Sequence, residues 1–224
     1  MIRSVLVLIG VMIGFSWSGL AQDEAILDSI SNYYDSSETI DQKISVQMLQ
    51  GLKGEKIAHE QVGRFYKNNS WVYFHLGHVE NIEYQSKLYV IDNQSKVIYV
   101  RTTTAAQNPC DIAVIKDMFD LKSVEEKSKV LILFFKLKDG AISDYESLKL
   151  IVSKKNYAIQ SQEYLMKQQH YFETSKGKVL DKSRLRMVFS SRGLQAKPQL
   201  SDFIKESAEG VDFISKYQTY QIFR

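Results

Sequence analysis

Cysteine and proline are nearly absent from this sequence, with one cysteine and two prolines among 224 residues. A single cysteine excludes an intrachain disulfide framework and any zinc site built on several thiolates. An excess of one charge sign is also lacking, and the net charge of +3 does not by itself indicate a nucleic-acid surface. With 25% charged and 12% aromatic residues, long disordered tracts are not expected. The composition therefore predicts a well-packed globular protein.

Common catalytic and nucleotide-binding motifs are missing as well. The sequence contains no G-x-S-x-G, no G-x-x-x-x-G-K-[ST], no H-E-x-x-H and no G-x-G-x-x-G. Cys110 follows Pro109 in a predicted loop, where it is either a nucleophile or, as we expect, a buried thiol without a catalytic role. His75 and His78 are three residues apart, a spacing that points two strand side chains to opposite faces. We therefore expect no catalytic residue, no metal site and no cofactor.

The first 21 residues have the layout of a secretory signal peptide. Arg3 supplies a positive charge, an apolar run extends from Val5 to Trp17, and small residues precede a cleavage point after Ala21. The apolar run is short for a transmembrane span, although an uncleaved membrane anchor is the alternative. The residue directly after the cleavage point is Gln22 and not a cysteine, so we expect no lipid anchor. The sequence predicts a signal peptide over residues 1–21, a single domain over residues 22–224, and a periplasmic location.

The order of periodic segments predicts the fold. Helical spacing of apolar residues, with Ile30 and Tyr33 or Tyr34 on one stripe, indicates a helix from Asp23 to about Ser36. Alternation then predicts strands separated by turns, and it resumes after a short helix that Asp111 would cap. The predicted strands cover Lys43–Met48, Lys56–Tyr66, Trp71–Leu76, Ile82–Ile91, Val97–Thr103, Val130–Leu137, Leu148–Val152, two segments within Tyr157–Thr174, and Lys178–Phe189. We expect a charge-rich turn at Glu125-Glu126, a short helix capped by Ser201-Asp202 and a last edge strand within Tyr217–Phe223.

This pattern predicts an α+β fold, a strongly curved antiparallel sheet covered by the N-terminal helix and by short inserted helices. A sheet with one apolar face has to bury it, and the helices are too few to form a separate layer. The first strands are loaded with aromatic residues on both faces. One face belongs to the core, and the other either lines a pocket or forms an aromatic exterior.

Several segments resemble the periplasmic outer-membrane lipoprotein carrier family, the LolA-like proteins. They are the helix AILDSISNYYDSSETI, the strand DQKISVQM and the hairpins GRFYKNNSWVYF and KLYVIDNQSKVIYV, which together cover Ala25 to Thr103. The resemblance implies an eleven-stranded half-barrel closed by helices, with an apolar cavity for the acyl chains of a lipoprotein in transit. The proline that the family has in the first hairpin is missing from Lys67-Asn68-Asn69-Ser70. The family also has a functionally important arginine on an inward strand position, and the resemblance offers Arg64 as a candidate for it.

Together, residues and resemblance predict a soluble periplasmic carrier or sensor of lipid or lipoprotein acyl chains. The alternatives are a non-enzymatic envelope domain with a filled core that binds another protein, and an enzyme that uses Cys110 or the histidines. We expect a monomer whose further partners are lipoprotein-sorting proteins of the inner and outer membranes, with no nucleic acid bound. The residues expected to line the cavity are Ile30, Tyr33, Arg64, Phe65, Trp71, Tyr73, Tyr89 and Tyr99.

Overall fold

A computed structural model of the chain describes residues 23–103, 110–175, 177–191, 196–207 and 210–223. The predicted signal peptide and Pro109 lie outside these ranges. Helix α1 spans residues 23–36 and helix α2 spans Ile112–Met118. The described strands are β1 (Thr39–Gln50), β2 (Ile57–Asn68), β3 (Trp71–Leu76), β4 (Val79–Tyr84), β5 (Lys87–Asp92), β6 (Val97–Thr102), β7 (Phe119–Glu126), β8 (Val130–Leu137), β9 (Tyr145–Ser153), β10 (Ile159–Thr174), β11 (Gly177–Ser190), β12 (Ile204–Ser207), β13 (Gly210–Phe213) and β14 (Gln221–Phe223).

Twelve of these strands form one sheet in the order β14-β6-β5-β4-β3-β2-β1-β11-β10-β9-β8-β7. All neighbours are antiparallel except β14, which runs parallel to β6 and closes that edge. Strands β12 and β13 form a separate two-stranded ribbon. The predicted α+β fold with a large antiparallel sheet, an N-terminal helix and a short inserted helix is confirmed. The sheet has twelve strands within the described residues, one more than the resemblance implied.

The two helices begin and pack as their sequences predict. In α1, Leu27, Ile30 and Tyr34 form a buried stripe at helical spacing. At the start of α2, the Asp111 carboxylate accepts hydrogen bonds from the backbone N–H groups of Ala113 and Val114, at 2.8 and 3.4 Å. This cap fixes the first turn of a helix that has little length of its own. Neither helix within the described residues has the length and apolar character needed to cross a bilayer.

The sheet carries a hydrophobic core on each face. On the face that α1 and α2 cover, which we name the helix face, Ile44, Phe65, Leu133 and Leu150 pack with both helices. On the opposite face, the ribbon face, aromatic residues of β2 to β5 and aliphatic residues of β6 pack beneath the β12–β13 ribbon and the chain that follows it. This second core comprises Tyr66, Trp71, Tyr73, Ile82, Tyr89, Ile91, Ile98, Phe203, Ile204 and Tyr217. Aromatic residues on both faces of β2 and β3 therefore belong to two different cores.

One predicted strand proves to be two. Residues expected to form a continuous strand to Ile91 are the hairpin β4–β5, which turns at Gln85 and Ser86 with φ angles of 49° and 58°. Both turn residues are thus left-handed, the conformation that a two-residue hairpin needs and that Gly or Asn usually supplies. Gln85-Ser86 carries neither signal, so the turn was invisible in the sequence.

Three further expectations are wrong. Glu125 and Glu126 end strand β7, which pairs with β8 as the edge of the sheet, and its charged residues suit an exposed edge. The two segments expected within Tyr157–Thr174 are the single strand β10, whose register shifts between Leu165 and Gln169. Ser201-Asp202 lies in a 3-10 turn, and the chain then extends into β12 because Phe203 and Ile204 are buried in the aromatic core.

Candidate functional site

An open groove lies where the C-terminal end of α1 meets the ends of β1, β10 and β11. It has a volume of about 640 Å³, and Tyr33, Ile40, Ile159 and Phe189 supply its apolar lining. Polar residues at its margin include Thr39, Asp41, Ser153, Asn156, Gln160, Ser190 and Ser191. We name this the end groove. A lining that mixes apolar and polar side chains suits a ligand that has an apolar body and a polar end.

A smaller pocket of about 270 Å³ lies between α1, the start of α2 and strands β2 and β3. Phe65, Val72, Cys110 and Ile112 form its apolar part. Polar residues around it include Ser31, Asp35, Lys67 and Asp111. The Lys67 ammonium group donates a hydrogen bond to the Tyr34 backbone carbonyl at 2.7 Å, which ties β2 to the last turns of α1. We name this the side pocket.

The side chain of Tyr34 separates the two. It lines the side pocket, is 1% exposed, and its ring packs edge-on against Tyr33 with the centroids 5.0 Å apart. Its hydroxyl oxygen accepts a hydrogen bond from the Ile159 backbone N–H at 3.1 Å. The hydroxyl is also hydrogen bonded to the side chains of Gln42 and Cys110. Because Gln42 and Ile159 line the end groove, Tyr34 stands between the groove and the side pocket.

Burial determines the protonation states of Tyr34 and of the neighbouring Cys110. Loss of water raises the pKa of Tyr34 far above its ordinary range, and the neighbouring Cys110 raises it further. Burial also raises the pKa of the Cys110 thiol to about 12, although the hydrogen bond from Tyr34 opposes that shift. Both groups are therefore neutral at physiological pH. The environment of Tyr34 and Cys110 favours uncharged groups and disfavours the thiolate form of Cys110, which is the nucleophilic form.

Gln42 adds an uncompensated polar atom to the helix face. The side chain is 8% exposed, and its Oε1 atom is buried with no hydrogen-bond partner in the described part of the chain. A buried acceptor without a partner costs about 1–3 kcal/mol. The cost is tolerated here because the other end of the amide holds the Tyr34 hydroxyl.

The remaining helix face is filled with side chains. Ile44, Leu133, Leu148 and Leu150 are at most 1% exposed. The end groove and the side pocket therefore lie at the edges of this filled core, and a third, open pocket of about 400 Å³ lies between the exposed sides of α1 and α2.

Two of the residues expected to line a cavity, Tyr33 and Phe65, border these spaces, and a third, Ile30, lies in the helix-face core. Ile30 and Phe65 are fully buried in the helix-face core, and Phe65 borders the side pocket. Tyr33 is partly buried and borders the end groove. Their assignment as ligand-binding residues stays a prediction.

The other five are placed elsewhere. Trp71, Tyr73 and Tyr89 belong to the ribbon-face core, on the opposite side of the sheet. Tyr99 is 41% exposed on the far part of the helix face, where it stacks on Phe223 at 5.3 Å. Arg64 lies on the ribbon face, where Nε and Nη2 donate to the Asp41 carboxylate at 2.8 and 2.7 Å. The eight residues therefore cannot line a single cavity.

The sequence indicated only part of the hydrogen-bonded group around Tyr34. Helical periodicity placed either Tyr33 or Tyr34 on the buried stripe, and the structure buries Tyr34, four residues after Ile30 and seven after Leu27. Gln42 and Ile159 carry no such signal, because they meet Tyr34 through pairings between distant strands. The histidines form no ligand set, since no three His, Cys, Asp or Glu side chains come together within the described ranges.

Comparison with known proteins gives distant structural likenesses. The chain matches no protein-family model and no curated protein sequence. An uncharacterized conserved protein from Thermus thermophilus is 12% identical with a TM-score of 0.45, over 91% of this chain and 99% of that one. A LolA superfamily protein from Nitrosomonas europaea is 11% identical with a TM-score of 0.32, over 78% of this chain and 94% of that one.

The lipoprotein LppX from Mycobacterium tuberculosis is 8% identical with a TM-score of 0.40, over 78% of this chain and 100% of that one. A shared fold does not specify a ligand. The chain is thus structurally similar, at low identity, to a LolA superfamily protein and to a mycobacterial lipoprotein.

Proposed function

We propose that the protein is a non-enzymatic carrier or sensor of the bacterial periplasm that binds the acyl chain of a lipid or lipoprotein beneath α1. The carboxyl or glycerol end of the ligand lies at the polar margin of the end groove. The hydrocarbon chain lies against Tyr33, Ile40 and Phe189.

The observation that carries this proposal is the pair of spaces on the two sides of Tyr34. The end groove, at about 640 Å³, falls within the range of about 300–1,000 Å³ typical of small-molecule sites. Rotation of the Tyr34 ring would join it to the side pocket in a passage beneath α1. The walls of both spaces mix apolar side chains, which suit hydrocarbon, with polar and charged ones, which suit the polar end of a lipid.

Burial of hydrocarbon supplies the binding free energy. Each CH₂ group moved out of water contributes about 0.8 kcal/mol. A chain that buries about ten such groups therefore gains about 8 kcal/mol before the cost of association. The binding free energy left after the cost of association is compatible with a ligand that is held in transit and then released.

A non-enzymatic role is favoured by the state of Cys110. Its thiol is completely buried and its pKa is about 12, so almost none is ionised at neutral pH. The thiolate is the nucleophilic form of cysteine. Cys110 therefore serves as a small apolar residue that receives the Tyr34 hydrogen bond.

A second candidate function is an envelope domain that binds another protein and holds no ligand. The tightly filled centre of the helix face favours it, because Leu133, Leu148 and Leu150 leave no room above them. The two candidates differ in whether the end groove takes up an acyl chain.

Binding of a fluorescent fatty acid to the purified protein tests the proposal. Ala158 lines the end groove, and Ala158→Trp should fill the groove and abolish binding. Ala141→Trp, in the loop between β8 and β9, adds the same bulk outside the groove and should bind as the unaltered protein does. Native mass spectrometry of protein purified from cells should show a bound lipid that Ala158→Trp lacks. Absence of binding and of any co-purified lipid would favour the second candidate.

Delivery follows from the same proposal. A carrier of lipoprotein chains needs a donor at the inner membrane and an acceptor at the outer membrane. We propose lipoprotein-sorting proteins as these partners and a monomer as the transported form.

A further inference from the structure

The hairpin formed by β10 and β11 projects beyond the rest of the sheet. Strand β9 stops pairing with β10 at Met166, and β1 stops pairing with β11 at Ser183. Beyond these points, residues from Gln169 to Thr174 pair only with residues from Gly177 to Lys182. The end of the hairpin is therefore a two-stranded arm that has no neighbouring strand.

One side of this arm and the adjacent β1–β2 loop expose large apolar side chains. Tyr171 pairs with Leu180, and the two are 73% and 48% exposed. Alternation along β11 puts Leu180 on the same side as Arg184. The Arg184 side chain donates to the backbone carbonyl of Gly51 at 2.9 Å and also to that of Gly54. Leu52 lies between these glycines, in a loop that Arg184 holds against that side of the arm, and is 58% exposed.

Two lysines lie close in sequence to Leu52, one of the three exposed apolar residues Leu52, Tyr171 and Leu180. Lys53 and Lys56 lie in the same loop, both are exposed, and no ion pair involves either of them in the described structure. The nearby Glu55 carboxylate is held by the Arg186 guanidinium, which lowers its pKa. On the arm, Glu173 lies opposite Lys178 in the strand pairing. Lys53 and Lys56 therefore remain as uncompensated charges.

We propose that this surface, the arm patch of Leu52, Tyr171 and Leu180 with Lys53 and Lys56, docks on an anionic phospholipid bilayer. Tyrosine and aliphatic side chains enter the interfacial region of the bilayer, and lysine ammonium groups pair with lipid phosphates. A projecting arm encloses no volume for a small ligand, so its apolar side chains need a surface to bury them. The patch is apolar and basic: Glu55 is paired with Arg186, Glu173 lies opposite Lys178, and alternation puts Asp181 on the other side of the arm from Leu180. This composition matches an anionic interface.

The location of the patch complements the end groove without depending on it. The groove opens at the start of β1, near Thr39, whereas the arm patch lies beyond its end at Gln50. Docking through the arm would leave the groove free. The inference stands whether or not the groove binds an acyl chain.

Vesicle co-sedimentation tests the proposal directly. We expect the purified protein to sediment with vesicles of phosphatidylcholine and phosphatidylglycerol, and much less with vesicles of phosphatidylcholine alone. The double variant Lys53→Gln/Lys56→Gln should lower the affinity for the anionic vesicles about thirtyfold. The triple variant Leu52→Ser/Tyr171→Ser/Leu180→Ser should abolish binding.

A matched control is Val114→Ser, which removes an apolar side chain that is 55% exposed on α2. It should bind vesicles as the unaltered protein does. All substituted residues are exposed, and circular dichroism should show an unchanged fold. Equal binding to both vesicle types, or undiminished binding by the triple variant, would overturn the proposal. Failure to bind either vesicle type would overturn it as well, and the patch would then be a surface for a protein partner.

Discussion

Tyr34 holds three separate segments of the chain through one hydroxyl group. Its oxygen accepts a hydrogen bond from the backbone N–H of Ile159 in β10. The hydroxyl is also hydrogen bonded to the side chains of Gln42 in β1 and of Cys110 beside α2. All of these groups are buried, so no water replaces a lost partner. The position is therefore sensitive to the removal of a single oxygen atom.

Tyr34→Phe should destabilise the protein by about 1–3 kcal/mol, because the ring still fits while Ile159 N–H and the Gln42 amide lose their partner. Urea unfolding gives the free energy. Labelling of Cys110 by a thiol reagent in the native protein should also accelerate, since α1 opens more easily. Tyr171→Phe removes a hydroxyl from an exposed ring and should change neither quantity. Unaltered stability of Tyr34→Phe would mean that the hydroxyl does not hold α1 in place.

The pairing of β2 with β3 depends on a glycine. A Cβ atom on Gly63 would lie 1.9 Å from the backbone oxygen of His75 and 2.9 Å from its carbonyl carbon. Real Cβ atoms do not approach backbone so closely, and a backbone atom in a sheet cannot move aside without breaking the pairing. The two strands can approach in this way only because residue 63 has no side chain.

Gly63→Ala should therefore cost more than about 3 kcal/mol or prevent folding. Thermal unfolding of the variant measures the loss. Val62→Ala shortens the neighbouring residue, which is 47% exposed, and should lower the midpoint only slightly. A Gly63→Ala protein that unfolds at the original temperature would show that β2 and β3 tolerate separation.

Elements with strong local signals were predictable from the sequence. A strongly apolar run predicted β8 at its observed bounds, and the capping aspartate predicted the start of α2. The turn at Gln85-Ser86 was missed because its left-handed backbone is imposed by the strands on both sides. In the site, Ile30 and Tyr33 followed from helical spacing. Gln42 and Ile159 did not, because long-range strand pairing brings them to Tyr34.

The whole molecule has two cores on opposite faces of one sheet. The aromatic core needs Phe203, whose ring lies 4.8 Å from that of Tyr73 and 6.0 Å from that of Trp71. The groove and the side pocket lie on the other face. Damage to the aromatic core should therefore leave the ligand space unaltered.

Phe203→Ala should destabilise the protein by about 3–5 kcal/mol through the cavity left beneath the ribbon. Circular dichroism during heating measures this loss, and the affinity for a fluorescent fatty acid should be unchanged at low temperature. Leu150→Ala makes a comparable cavity in the helix-face core and should alter the affinity, since that core supports α1. An equal loss of fatty-acid affinity in both variants would show that the aromatic core also supports the ligand space on the helix face.

The placement of the tryptophans has a practical consequence for spectroscopy. The sequence has two, and Trp71 is the one within the described residues. It is 6% exposed and surrounded by Tyr66, Tyr73 and Phe203, so its emission senses the ribbon side of the sheet. A ligand entering beneath α1 would leave that emission nearly constant. Trp71 fluorescence is therefore not expected to report ligand binding beneath α1. A titration that leaves this emission unchanged would not show that the protein is free of ligand.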